Sequence, residues 1–278
     1  MMIIDAHVYC LPQRLRKINP KLLLSERKII NAIYEHPEGE YALELAAPEA
    51  ISTSMKTNHI DKSVLVSFPW GNHDLCCENN HYLFEIVKNN SQFFWIASVQ
   101  PCNKDWMKEA ERCINLGAIG LKINPFWQNF NLDGPETIQL IEWLIPQKNV
   151  FLMTHIDQAY KQTTTLPSHL LNFVCKYPNA KILAAHMGGG LGIYALHPPL
   201  AKTIKNIWFD TAVSATLKMI RFYVEAGLEN RIIFGSDFPF NHSHSQGQVL
   251  NGISSLELSP ETEVKIFKNN FYSLINLN

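Results

Sequence analysis

The chain of 278 residues contains no GxGxxG fingerprint and no P-loop lysine, so its alternating apolar runs do not belong to a nucleotide-binding protein. Its six cysteines (Cys10, Cys76, Cys77, Cys102, Cys113 and Cys175) show no CxxC spacing. A domain this large needs no covalent staples, so the cysteines are expected to be reduced and mostly buried. Neither sign of charge is in excess: 24 Lys and Arg stand against 25 Asp and Glu, and no global field favours nucleic acid or an anionic membrane. No apolar run approaches the roughly 20 residues of a membrane helix. The opening MMIIDAHVYCLPQRLRK carries its charges after a short apolar patch, the reverse of a signal peptide. These absences lead to the expectation of a cytoplasmic protein whose partner is a small-molecule substrate, with no organic cofactor. What the chain does have is 46% hydrophobic residues, ample for one large core.

Those residues are organised in eight short runs: MIIDAH, SVLVSFP, FFWIASVQP, AIGLKINP, VFLMTHI, AKILAAHM, NIWFDTA and RIIFGSDFP. Each is rich in β-branched or aromatic residues and closed by a polar group, Pro or Gly, which predicts strands. Between them lie longer amphipathic stretches, among them NNHYLFEIVKNN, KDWMKEAERCINLG, ETIQLIEWLIPQKN, SHLLNFVCKYPN, ATLKMIRFYVEAGLEN and a last one opened by the capping sequence SPE. Strands apolar on both faces, alternating with helices from end to end, predict a parallel sheet covered by helices. Eight such units in one chain suit a closed (β/α)8 TIM barrel over residues 1–278, a single α/β domain. The charged, Pro-containing segment 10–61 is expected to be an insertion of helices and loop between strands 1 and 2, lying over one end of the barrel. Two apolar patches, Leu22 to Leu24 and LGIYALHPPL, are candidates for a homodimer interface, and equally for internal packing.

In a barrel the C-terminal strand ends converge on one mouth, and catalysis there draws single residues from different strands. The predicted ends carry Asp5 and His7, then Lys122, His155, His186 and Asp237. An isolated strand-end histidine is more often a hydrogen-bonded core residue than a ligand. Several such groups in the same topological position argue for one cavity instead. Strict strand alternation would put Asp5 on the same side as His7, deeper, as an orienting group. Lys122 suits a substrate carboxylate, a carbamylated metal bridge or a plain rim ion pair. His242 and His244 read as members of a solvated turn; His73 and Trp70 are candidates for the pocket lining, and Phe126 and Trp127 for the walls of a site for a flat organic molecule.

The chain resembles the amidohydrolase superfamily, in the amidohydrolase-related group that includes aminocarboxymuconate-semialdehyde decarboxylase, resorcylate-type decarboxylases and several sugar and pyrone lactonases. The likeness runs nearly end to end and rests on IDAH, NNHYLFEIVKNNSQFFWIASVQP leading into LGAIGLKINP, FLMTH, YPNAKILAAHMGG and NRIIFGSDFPF. It implies that His7 is the first histidine of an HxH pair, His155 a metal ligand, His186 a contact to substrate or metal, and Asp237 both a metal ligand and the group that exchanges a proton with water. Lys122 matches the lysine of the group's GxKxxP context. The departure is Tyr9, which stands where the second histidine belongs.

His7, His155 and Asp237 still number three, the count a catalytic zinc commonly takes from protein. A divalent metal, zinc by preference, is therefore one reading and a metal-free site the other. A neutral Tyr9 is a poor ligand but can hydrogen-bond water or a substrate oxygen. Three functions follow: hydrolysis of a lactone or amide-like bond of a small carboxylated molecule, as the leading expectation, with Asp237 activating water; nonoxidative decarboxylation of an aromatic or enoic acid; and a barrel without activity that serves binding.

Overall fold

The computed structural model describes residues 1–19, 23–147, 149–156, 165–212 and 217–276. Eight parallel strands follow one another around a nearly closed barrel in sequence order. They are β1 (Ile4–Tyr9), β2 (Lys62–Val66), β3 (Phe93–Ser98), β4 (Gly120–Ile123), β5 (Phe151–Thr154), β6 (Ile182–Ala184), β7 (Ile207–Asp210) and β8 (Ile232–Ile233). The expected (β/α)8 barrel, a single domain, is present.

Alternation along each strand divides the core in two. Inward residues such as Ile4, Val64, Val66, Ile96, Phe151, Met153, Leu183 and Ile233 fill the barrel. Outward residues such as Leu65, Trp95, Leu121, Leu152, Ile182, Phe209 and Ile232 meet helix residues including Cys113, Leu140, Leu170, Phe173 and Ile220. Both faces of the strands are thus covered, which is why they read as continuous apolar runs. Gly120 faces Phe151 across β4 and β5, and a Cβ there would lie 2.9 Å from the Phe151 carbonyl oxygen and 3.1 Å from its ring.

The helices form where the amphipathic stretches predict them, and their ends have local causes. The helix His73–Val87 begins earlier than its apolar pattern because the Asn72 side chain accepts from the amides of Asp74 and Leu75. The helix Pro135–Leu144 stops just short of Pro146, which has no N–H to carry the helical bonding on. Ser259 caps the last helical run by accepting from the Thr262 amide. The segment 10–61 holds short helices, among them Gln13–Arg16, Gly39–Leu45 and Pro48–Thr57. Several of its residues touch loops that follow strands: the Glu26 carboxylate accepts from the Gly71 amide at 2.8 Å, and Lys28 Nζ donates to the Phe126 carbonyl at 2.6 Å. Pro20 and Leu22 of this segment lie outside the described residues; Leu23 is buried and Leu24 exposed. Ile193, Tyr194 and Leu196 of the second apolar patch are exposed.

All six cysteines are free, but only Cys10, Cys76 and Cys113 are buried; Cys77 is partly covered, and Cys102 and Cys175 are exposed. No helix of the described residues is long and apolar enough to cross a membrane.

The closure between β8 and β1 departs from the expected pattern. RIIFGSDFP yields a strand of two residues. Beyond it, the ladder is replaced by single bonds: Ala6 N donates to Phe234 O, Asp237 N to His7 O, and Tyr9 N to Phe238 O, at 2.7–2.9 Å. On the other side β1 pairs Asp5 with Ser63 and Val8 with Leu65, so one extra residue is inserted in β1, a bulge. Asp5 and Val8 therefore share the outward register of Ser63 and Leu65, and Tyr9 regains the inward register of Val66. The bulge corrects the expectation that Asp5 and His7 point the same way.

Candidate active site

The bulge and the broken β8 meet at His7. Asp5, facing outward, accepts from the His7 amide at 3.2 Å, from the Ser236 amide at 2.9 Å and from Gln246 Nε2 at 2.8 Å, so its carboxylate ties β1 to the chain after β8. It orients the seam and lies away from the inward cluster. Gly235 allows the close packing beside it: a Cβ there would stand 3.0 Å from His7 Cβ and 3.2 Å from Asp210 Cβ.

Asp210 is the functional candidate that inspection of strand ends passed over. It closes β7 inside NIWFDTA, and alternation turns it inward next to outward Phe209. The signal was the same as at Lys122 and Asp237, an acid or base ending an apolar run. Its Oδ2 lies 3.0 Å from His7 Nδ1, and its Oδ1 accepts from the amides of His186 at 2.8 Å and Ala212 at 3.2 Å. Burial pushes this carboxyl up, but His7, with its hydrogen bond and charge, and His186 and Lys122 bring it below its ordinary value. An ionised Asp210 only accepts, so the proton of neutral His7 sits on Nδ1 and the Nε2 lone pair faces inward.

His7 Nε2 lies 3.3 Å from Asp237 Oδ1 and makes no hydrogen bond of good geometry. Burial and the charge of Lys122 push the His7 imidazole down. Burial pushes the Asp237 carboxyl up to about 6, against the pull of His186 and Lys122. Both directions favour the uncharged forms, a neutral imidazole beside a carboxyl that keeps its proton up to about pH 6. Asp237 holds its position through a left-handed backbone, φ 62°, uncommon for a residue other than glycine, with its amide bonded to His7 O.

His186 also stands in the left-handed region, and opens a run of positive φ that continues through Met187, Gly188, Gly189 and Gly190. HMGGG is thus a sharp turn that presents His186 beside β5. The Tyr223 hydroxyl spans it, donating to Met187 O at 2.8 Å and accepting from the Gly192 amide at 2.6 Å. His186 Nε2 meets His155 Nδ1 at 3.0 Å, so the two rings share a proton.

Lys122 projects inward from β4, in register with Ser98 and Met153, and is fully buried. Burial lowers its ammonium to about 8, with Asp210 and Asp237 pulling the other way. The rim above is aromatic. The Tyr9 ring lies 5.1 Å from His7, 5.2 Å from Phe68 and 5.6 Å from Phe240, and Phe68 stacks on Trp127 at 5.1 Å. Trp127 in turn stacks with His155 at 6.3 Å. Burial and the nearby Asp237 and Asp210 push the Tyr9 phenol well up, so it is neutral.

Trp127 therefore stands as a wall, as its position after β4 suggested, while Phe126 lies under Lys28 Nζ, 4.2 Å from its ring centroid. Trp70 is buried behind Phe68, 4.9 Å away, and His73 faces Cys77 of its own helix at 3.5 Å, so neither lines the cluster directly. His244 bonds Pro239 O and Glu38 of segment 10–61, and His242 is exposed, although near enough to lower the Asp237 carboxyl by its charge.

A metal of the kind the resemblance implies needs three donors at one point. His7 Nε2 and Asp237 Oδ1 lie 3.3 Å apart, His155 engages His186 through Nδ1, and Tyr9 fills the side where a second β1 imidazole would stand. Among the described residues no group of three His, Cys, Asp or Glu side chains converges closely enough to hold a metal ion. The donor set does not fit the expected zinc.

The family model for amidohydrolases matches residues 5–272, and the chain belongs to that family. Over 168 residues it is 26% identical to 6-methylsalicylic acid decarboxylase of Penicillium expansum, a match spanning 51% of this chain and 50% of the relative. The chain thus aligns with about half the length of that curated relative. Its fold is similar to 5-carboxyvanillate decarboxylase of Novosphingobium aromaticivorans, solved with manganese and 3-methoxy-4-hydroxy-5-nitrobenzoic acid: TM-score 0.80, 17% identity, covering 99% of this chain and 97% of that one. It is similar also to 2,6-dihydroxybenzoate decarboxylase from Rhizobium, with TM-score 0.77, 15% identity, and coverage of 100% and 99%. At these identities the two structures speak for the fold. The curated relative is a decarboxylase, the second of the three functions expected from the sequence.

Proposed function

We propose that this barrel catalyses the nonoxidative decarboxylation of a hydroxylated aromatic carboxylic acid. The observation that carries the reading is the Asp237 carboxyl set 3.3 Å from His7 beneath a rim of aromatic rings. The partial match to a salicylic acid decarboxylase supports the substrate class.

Decarboxylation of an arene acid needs a proton at the ring carbon that bears the carboxylate. Asp237 would deliver it, since burial keeps its carboxyl protonated to about pH 6 and its side chain is 11% exposed, within reach of a bound ring. The ortho hydroxyl would pass its proton to the His155 and His186 pair, pushing electron density to that carbon as the C–H bond forms. The bond to the carboxylate then breaks, its electron pair restores the aromatic ring, and carbon dioxide leaves. The histidine pair returns its proton to the phenolate, and water recharges Asp237. Trp127, half-buried, offers a flat face to such a ring, with the buried Phe68 stacked against it.

The test is a panel of 6-methylsalicylate, 2,6-dihydroxybenzoate and 5-carboxyvanillate, set beside small lactones, with carbon dioxide and acid release measured separately. The expected result is equimolar carbon dioxide and phenol, with deuterium at the former carboxyl-bearing carbon in heavy water. Acid formation from a lactone without carbon dioxide release from any arene acid would overturn the reading in favour of hydrolysis.

A further inference from the structure

Lys122 is the only lysine or arginine among the described residues that is buried. Its Nζ has no hydrogen-bond partner among them, and no carboxylate comes within ion-pair distance. An interior cation without a partner costs stability, and a core built for stability alone would carry methionine or leucine there. The barrel spends part of its stability on this ammonium. The charge is retained at neutral pH, since burial lowers it only to about 8.

The surroundings say what the ammonium awaits. Its neighbours in register are Ser98 and Met153. The Tyr9 ring stands 5.8 Å from Nζ, a neutral face beside a cation, and the same ring lies 5.1 Å from His7. Tyr9 thus takes the side where a second imidazole would complete a donor set, and next to it a positive charge is already in place. A divalent ion entering this region would meet that charge in a low-dielectric interior. An incoming carboxylate would find its counter-charge there, with strong charge-assisted hydrogen bonds to replace those lost to water.

We propose that Lys122 is the resident cation of this site and receives the carboxylate of an arene acid without a divalent metal. The inference rests on the aromatic-acid reading above for its ligand class, but not on the reaction. It also accounts for Tyr9 and Lys122 together, the two residues the donor set left unexplained.

The experiment uses the full chain, stripped with chelator, and salicylate and phenol as probes in calorimetry, a pair that differs only by the carboxylate. Salicylate is expected to bind the stripped protein, with affinity unchanged by millimolar MnCl2 or ZnCl2. Lys122→Met is expected to weaken salicylate at least about tenfold and leave phenol within about threefold. The same variant should melt at a higher temperature than the parent, because it loses an unpaired interior charge. Salicylate binding that vanishes with chelator and returns with manganese or zinc overturns the proposal; so does equal salicylate affinity in Lys122→Met, or no salicylate binding by the parent at all. The metal comparison needs only the parent protein, so it decides even where the variant fails to fold. Salicylate held through Lys122 with no carbon dioxide released from any arene acid would leave this inference standing and overturn the decarboxylase reading. Carbon dioxide release by Lys122→Met at an undiminished KM would do the reverse.

Discussion

From β2 to β6 the barrel keeps a parallel register with every partner in step, whereas the seam from β8 to β1 is held by a bulge, a two-residue strand and bonds from side chains. The regular half is an apolar stack of Val64, Ile96, Phe151, Met153 and Leu183. The seam carries His7, Asp237 and the Asp5 brace, and two more candidates border it, Asp210 on the neighbouring β7 and His186. Regular pairing satisfies backbone groups at no cost to packing, while breaking it frees His7 and Asp237 to face each other. Local rules yield at the seam because the chemistry needs geometry that a ladder does not provide.

The comparison is broken most severely by Asp237→Asn, which removes the proposed proton donor but keeps a residue that tolerates the left-handed backbone. Carbon dioxide release should fall about 10²- to 10⁴-fold, measured against an unchanged folded spectrum. Activity within a factor of a few of the parent would remove the seam from the chemistry.

Leu183→Ala in the regular half should do the opposite, costing about 2–5 kcal/mol in denaturant unfolding through the cavity it leaves, with turnover of the remaining folded protein nearly intact. Leu183 is fully buried in the inner stack.

Asp237 gives a third test, through pH. Its folded value near 6 lies above the ordinary 3.8, so the folded state penalises its ionised form. Below about pH 4 the group is protonated whether the chain is folded or not, and the penalty is absent. It develops as pH rises from 4 to 6 and is complete above, about 3 kcal/mol at 1.36 kcal/mol per unit. Asp237→Asn should therefore gain stability over the parent at pH 7 and lose that advantage at pH 4, in parallel melting curves.

Gly235→Ala should cost about 1–3 kcal/mol, since its methyl group would press on His7 and Asp210, and loosen the pairing of those two side chains. His7 chemical shifts would report it. The smallest effect belongs to His244→Ala. Its ion pair with Glu38 ties the turn after β8 to segment 10–61, but Glu38 is 61% exposed, and about 0.5 kcal/mol or less is expected.

The strand ends at Lys122, His155, His186 and Asp237 were legible as members of one mouth because apolar runs closed by a polar group have few other uses in a barrel. Asp210 obeyed the same pattern at the end of NIWFDTA and was still passed over. The outward direction of Asp5 was not legible. A bulge arises from pairing with β2, and nothing local in IIDAHVY marks where the extra residue falls.

Alternating apolar periods, the caps of Asn72 and Ser259, and the proline positions are properties of neighbouring residues, so the sequence alone determined the eight units, their parallel order and the barrel they close into. Tertiary structure decided which groups meet. His7 is joined to Asp210 across 203 positions and Asp5 to Gln246 across 241, and such contacts depend on closure of the whole barrel. The same closure sets an ammonium without an ion-pair partner behind Tyr9, an arrangement of charge that exists only once distant strands share one interior.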